Sequence, residues 1–326
     1  MPIATLRDAT ASDLLTSISV AYVQDAAGFV ASRVFPIVPV DENSGPFWVY
    51  DKGDMLRSDA KLRAPGTRAA QKSVGVTTAT YLCQQWALDH KIPDEIMRSR
   101  KSPFSDQVAV QVLTQDLLIR RDLEFVSTFM STGVWSNEIA GGGGGGQVVS
   151  WDNGTSANIL EDIAGWHDTV KAACGRRPNV AVISSDVWQQ VKNNADVVDR
   201  IKYTQSGQIS LQVFASLIEV DEVLMVDSIN ATSAEGVSPV TTASTAAGKF
   251  LLAYRSPTPD ILTPSAGYIF SWPEFDGVRE AAAAGAAAIS SWYDQQEEAQ
   301  YYRGKAHFDA KVVAADAAFL GYNLLA

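Results

Sequence analysis

The stretch NEIAGGGGGGQVVSWDNG, residues 137–154, is where chemistry would first be sought, because six consecutive glycines run from Gly141 to Gly146. Backbone N–H groups of a glycine-rich loop can cradle a phosphate. That use needs a strand before the loop, Gly-Lys-Ser or Gly-Lys-Thr at its end and a helix N-terminus aimed at the anion. Here the end of a long predicted helix precedes the run, Gln147 follows it, and no lysine occurs before Lys171. A glycine homopolymer fits any dinucleotide-fingerprint spacing, so such a fit carries no information. The run reads as a flexible linker.

The other candidates are equally bare. The chain has three histidines, His90, His167 and His307. In Trp166-His167-Asp168 the imidazole and carboxylate sit at adjacent helical positions and point apart, so they form no dyad, and His167 is expected to be a partly exposed structural residue. There is no Gly-x-Ser-x-Gly elbow and no His-Glu-x-x-His pair. Asp51 with Asp54, and Asp41-Glu42-Asn43, lack the spacing of a calcium loop and read as solvated turns. Cys83 and Cys174 belong to no pairing or zinc motif and are expected to be small buried apolar residues. The expectation is no catalytic residue, no cofactor, no metal and no enzyme.

Composition narrows the class further. A net charge of -11 over 326 residues, with 46% hydrophobic and 19% charged, suits a folded chain and argues against one whose main task is gripping nucleic acid, which needs clustered cations. No run of about 18 apolar residues could span a bilayer. MPIATLRDATASDLL has neither the basic start nor the apolar stretch of a secretory signal, so folding in the cytoplasm is expected.

The elements follow from periodicity. SDLLTSISVAYVQDAAGFVASRVF offers a short N-terminal helix with Ser12 as cap, and VFPIVPVDENSGPFWVYDKGD then turns to strand, turn and strand. Residues 41–82 hold few large apolar groups and read as a long projecting hairpin returning through SVGVTTATYLC. A spine helix is predicted over about 105–131, capped by Ser105, roughly 40 Å long at 1.5 Å per residue. Its apolar stripe is Ala109, Val112, Leu113, Leu117, Leu123, Val126 and Met130, with an i,i+4 pair between Asp116 and Arg120. Beyond the glycines, a helix stepping through Ile159, Ile163, Trp166 and Val170, the strand NVAVIS, the helix SDVWQQVKNN and the strand VDEVLMVDS form an α/β lobe. KFLLAYR, GYIFSW and the closing AHFDAKVVAADAAFLGYNLLA add strands. EAAAAGAAAISSWY fits either helix or connector.

Basic residues cluster on the projecting hairpin, at Lys52, Arg57, Lys61, Arg63, Arg68 and Lys72, with five acids between Asp41 and Asp59. Mixed charge on an arm with no core of its own suits ion pairs with another protein better than a nucleic-acid grip. The arm is expected to lie on a neighbouring subunit.

This order of parts resembles that of the major capsid proteins of tailed bacteriophages. ASRVFPIVPVDENSGPFWVYDKGDMLR and the later PGTRA are similar to the entry of that family's extended loop. RRPNVAVISSDVWQQVKNNADVVDRIKYTQSGQISLQVFASLIEVDEVLMVDS is similar to its axial lobe, and the likeness runs over nearly the whole chain. The resemblance implies an α+β Hong Kong 97-type capsid fold. It implies an N-terminal arm at 1–40, an extended loop at 41–82, a peripheral domain at 83–155 and 265–326, and an axial domain at 156–264. It also implies pentamers and hexamers of an icosahedral shell around double-stranded DNA held by weak non-specific contact, assembled in the host cytoplasm, with a portal and possible decoration protein and no membrane. No long charged helical segment precedes SDLLTSISV, so a separate scaffolding protein is expected, and no self-catalysed crosslink is. Lys52, Arg57, Lys61, Arg63 and Arg68 are then expected to pair with a neighbour's Asp106, Asp116 or Glu124. Gly141, Gly142, Gly143, Gly144, Gly145 and Gly146 would act as a hinge between lobes. The alternatives are an encapsulin-like compartment, which shares the fold, and an α/β nucleotide-dependent enzyme, for which only the glycines and the α/β lobe speak.

Overall fold

A computed structural model of the chain describes residues 28–98, 106–154, 156–201, 209–234, 236–237, 239, 241–257, 263–272 and 288–325. The helix expected around Ser12, the Ser105 cap, most of the alanine run and the end of the Asp-Arg-Ile-Lys-Tyr stretch lie outside these residues.

In chain order the elements are α1 (Ala31–Val34), β1 (Ile37–Pro39), β2 (Ser44–Tyr50), α2 (Lys52–Leu56), β3 (Val76–Leu82), β4 (Gln84–Pro93), α3 (Asp94–Met97) and the spine helix α4 (Asp106–Phe129). They continue with β5 (Glu138–Ala140), α5 (Ile159–Cys174), β6 (Val180–Ser184), α6 (Ser185–Asn193), α7 (Ala195–Ile201), α8 (Leu211–Leu217) and β7 (Glu222–Val226). The last are β8 (Ile229–Ala231), β9 (Thr242–Ser244), β10 (Phe250–Ala253), β11 (Gly267–Ser271), β12 (Ala288–Asp294), β13 (Ala299–Val312) and β14 (Ala318–Tyr322). Strands β4 and β12 have no counterpart in the sequence reading.

Two sheets organise the chain. The spine sheet has the order β1-β11-β13-β12, with β4 also paired to β13; the mixed sheet has the order β5-β14-β10-β6-β7. β14, which falls in the stretch expected to be peripheral, pairs antiparallel with β10 from Phe250↔Gly321 to Ala253↔Ala318 and so belongs to the mixed sheet. Ala318, Phe319 and Leu320 are buried on both faces of the strand, which only an inner position of a sheet provides.

The mixed sheet is covered on both sides, so β6 reads as an unbroken apolar run, VAVIS, buried throughout. Ala181 and Ile183 face one core with Trp166, Val170, Val187 and Phe214 of the helices. Val180 and Val182 face a second core that holds Val34, Phe125 and Phe129. The end of the spine helix therefore packs under the mixed sheet, while its start lies on the spine sheet. Trp166 is stacked between Trp151 (5.5 Å between centroids) and Phe319 (4.8 Å), and such aromatic pairs add about 0.5–1.5 kcal/mol each beyond area burial.

The buried stripe of α4 is Ala109, Leu113, Leu117, Arg121, Asp122, Phe125, Val126 and Phe129. Val112, expected inside, is 47% exposed, because steps of four residues from Ala109 carry the buried line past it. Asp122 is inside because it is satisfied there: its carboxylate accepts from the Ala31 N–H (3.1 Å) and the Ser228 hydroxyl (2.9 Å). Burial still pushes its pKa up. Arg120 pairs with Glu124 rather than with Asp116, because its guanidinium lies 3.9 Å over the Trp86 ring.

The six glycines, expected as a hinge, form a closed loop. The chain leaves Ala140 and returns at Val148, whose N–H donates to the Ala140 carbonyl (3.1 Å), while the N–H groups of Gly142 and Gly143 donate to the Val148 carbonyl (3.0 Å each). Both ends are fixed to the C-terminal segment: Gly141 N–H donates to Tyr322 O (2.9 Å) and Trp151 N–H to Leu324 O (2.7 Å). The loop is thus closed on itself and held at both ends by the C-terminal segment. Glycine is required at Gly141 because a Cβ there would lie 2.3 Å from the Asn323 carbonyl oxygen.

His167 also departs from expectation, being 7% exposed rather than partly exposed, with its Nε2 unpartnered among the described residues. Cys83 is buried and Cys174 half-buried, both free.

Two predictions follow from this packing. Gly141→Ala should destabilise the unassembled subunit by about 1–3 kcal/mol, as for an overpacked site, and so lower its urea midpoint, whereas Gly145→Ala, where a Cβ meets nothing within 4 Å, should leave the midpoint unchanged. Burial holds His167 below its ordinary 6.5, so the unfolded chain protonates first as pH falls. Its stabilising contribution is complete above about 6.5 and declines from there down to the depressed native value. Urea midpoints at pH 7.5 and 5.5 should show this loss, and His167→Gln should reduce it.

Candidate assembly surface

The extended loop is a hairpin with a firm base and an open tip. β2 and β3 pair antiparallel from Ser44↔Leu82 to Tyr50↔Val76. At the base Tyr81 stacks on Phe270 at 4.6 Å and Phe47 lies 5.7 Å from the same ring. The Leu82 N–H donates to Asp309 (2.9 Å) and the Trp272 indole to Asp41 O (3.0 Å). Cys83 is buried there, its thiol pushed up to about 12 by burial and then by Asp309. It is a packing residue rather than a nucleophile.

Beyond Tyr50 the loop is stiffened locally. Asp51 caps α2, accepting from Gly53 N (2.6 Å) and Asp54 N (3.3 Å), and its own N–H donates to Gly75 O (2.9 Å), closing the hairpin. Residues 60–78 are then all exposed. Leu62 is fully exposed, and Trp48 (64%), Val74 (41%) and Val76 (44%) are largely so. Apolar side chains displayed together on a projecting loop mark a contact surface.

The expected charged residues divide into two groups. Lys52 is paired with Asp316 of its own chain at 2.6 Å. Arg57 bridges Asp54 (2.9 Å) and Asp59 (3.0 Å), Arg63 donates to Thr67 O and Lys72 to Arg57 O (2.6 Å). Lys61 and Arg68 are exposed and make no ion pair among the described residues. Of the acids expected on a neighbour, Asp106 accepts from the Tyr302 hydroxyl, whose pKa is raised to about 12 by burial and by that carboxylate. Glu124 is taken by Arg120, and Asp116 is exposed on the spine helix. One and two turns before Asp116, on the same side of the helix, Val112 (47%) and Val108 (36%) are exposed. The sequence does not reveal this apolar patch, because the helical stripe puts Val112 in the core.

Among the described residues no group of three acidic, histidine or cysteine side chains could hold a metal ion, and no helix is long and apolar enough to cross a membrane. What the surface offers is contact, through exposed apolar groups and cations on a loop braced at its base and tied to the body above it by Lys52 and Asp316.

Comparison with known proteins agrees with that description. The family described as phage major capsid protein E matches residues 148–236, a span from the end of the glycine loop through β8. A major capsid protein of Burkholderia phage BcepMu is 22% identical over 226 residues, 67% of this chain and 69% of that one. A phage-related protein from Bordetella bronchiseptica superposes with a TM-score of 0.68 at 17% identity, covering 96% of this chain and 97% of the other. The capsid of Cyanophage P-SCSP1u gives 0.62 at 10% identity over 94% and 90%. An encapsulin complex from Synechococcus elongatus gives 0.55 at 12% identity over 99% and 96%, so the architecture extends to protein compartments. The sequence matches are thus to phage major capsid proteins, and the chain shares the Hong Kong 97-type fold of phage capsid proteins over nearly its whole length.

Proposed function

We propose that many copies of this chain assemble, as pentamers and hexamers, into the icosahedral head that encloses phage double-stranded DNA, and that the extended loop supplies a principal contact between copies. The observation that carries this reading is the loop itself. Its base is packed against β11, yet Trp48, Leu62, Val74 and Val76 stay exposed beside the cations Lys61 and Arg68. A second copy offers complementary chemistry in the exposed Val108 and Val112 beside Asp116 on the spine helix. Single exposed ion pairs are worth about 0.2–1 kcal/mol, and a closed shell multiplies them by symmetry.

The role is structural rather than catalytic. A net charge of -11 suits a container, because a strongly basic wall would hold on to packed DNA and hinder its exit. Assembly in the host cytoplasm, with a separately supplied scaffolding protein and a portal, fits this reading. An encapsulin-like compartment is the second reading, favoured only by the shared architecture; cargo enzyme in place of DNA inside native particles would establish it.

Negative-stain images of the expressed protein should show closed particles. Lys61→Glu combined with Arg68→Glu should leave the circular dichroism and thermal midpoint of the subunit unchanged, since neither cation makes an ion pair among the described residues, and should cut particle yield at least severalfold. Normal yields from the double variant would remove the loop cations from the contact.

A further inference from the structure

We propose that the root of the extended loop is a latch, closed on its own body in the free subunit by the Lys52–Asp316 ion pair, and that opening this latch is a step in assembly. The second half rests on the shell reading above.

The latch is visible as a tie over a poorly filled seat. Lys52 begins α2 on the loop, and Asp316 lies immediately before β14 on the body; their side chains meet at 2.6 Å and are 51% and 33% exposed. Between loop and body lies a cavity of about 470 Å³, walled by Trp48, Met55 and Leu56 on one side and by Cys174, Arg176 and Tyr254 on the other. The loop side of this wall is only half covered, with Met55 45% and Leu56 59% exposed. Side chains that face a void lack partner atoms and contribute little dispersion energy. The root is therefore held chiefly by one solvent-exposed ion pair, whereas the base below it is fixed by the Tyr81–Phe270 stack and the Leu82–Asp309 hydrogen bond. A segment tied firmly at one end and loosely at the other opens locally without unfolding the rest. Asp316 is held below the usual carboxylate range, first by Lys52 and then by Ser136, so the pair stays charged at neutral pH.

Opening frees Trp48, Met55 and Leu56 together. They then extend the apolar surface already displayed by Leu62, Val74 and Val76, so the open root can give another copy what the closed root gives partially to itself. Loss of the pair should shift the closed-to-open ratio by about two- to fivefold, the range of a single exposed ion pair.

The test uses the full chain in three forms: wild type, Lys52→Ala, and Lys52→Asp combined with Asp316→Lys, which reverses the pair. Hydrogen exchange reads the body side of the seat, at residues 174–176 and 313–317, and light scattering reads the lowest subunit concentration that yields particles. Lys52→Ala should raise exchange at both segments and lower that concentration about two- to fivefold, and the reversed pair should bring both back toward wild type. Unchanged exchange in Lys52→Ala would show that the pair does not hold the loop. Raised exchange with an equal or higher assembly concentration would show that the closed root is the assembling form. Either result overturns the proposal. A wild-type protein that forms no particles, with the exchange difference intact, would overturn the shell reading and the assembly step while the latch itself stood.

Discussion

The seating of the spine helix on strand β13 is the contact on which the rest depends. β13 hydrogen-bonds to β4, β11 and β12, so the spine sheet is assembled around one strand. α4 can lie close to that sheet because two positions under it have no side chain. A Cβ on Gly304 would come within 3.0 Å of Leu117, and one on Gly267 within 2.4 Å of the Phe129 ring. The same helix then carries Phe125 and Phe129 into the core beneath the mixed sheet, where each buried ring is worth about 1.5–3 kcal/mol. One helix shared between two cores makes the two sheets mechanically one body.

Against that body the extended loop is the part left free to respond. Its base is bonded and stacked, its root is lightly held, and residues 60–78 toward its tip are all exposed. A subunit proposed to fit several related positions in a shell would find its compliance in such a loop more readily than between two packed sheets. Weak, exposed polar contacts suit such a place, because each is reversible alone and consequential in large number.

The sequence made the strongly periodic parts legible. The spine helix spans 106–129 against an expected 105–131, and VAVIS and EVLMV fall within the predicted strands. The returning strand of the hairpin lies where β-branched residues crowd, at Val76–Leu82. What stayed hidden depends on partners distant in the chain. The glycine run looked like a linker because its bonds to Tyr322 and Leu324 cross about 180 residues. The sheet that β14 joins is hidden for the same reason, since a short apolar strand does not reveal its partners. Arg120 was matched to Asp116 by spacing alone, and the face of Trp86 decided for Glu124. At the assembly surface the cations could be listed, but their division into loop-internal pairs and unengaged charges required coordinates.

The position of β14 bears on when the subunit can come into existence. Its strand neighbours β5 and β10 lie far earlier in the chain, and until residue 322 has emerged from the ribosome each has an unpaired inner edge. Leu324 then fills a fully buried site beside Gly321 and Trp151. Folding of the mixed sheet therefore waits on β14, and a chain interrupted before it lacks the strand that joins β5 to β10.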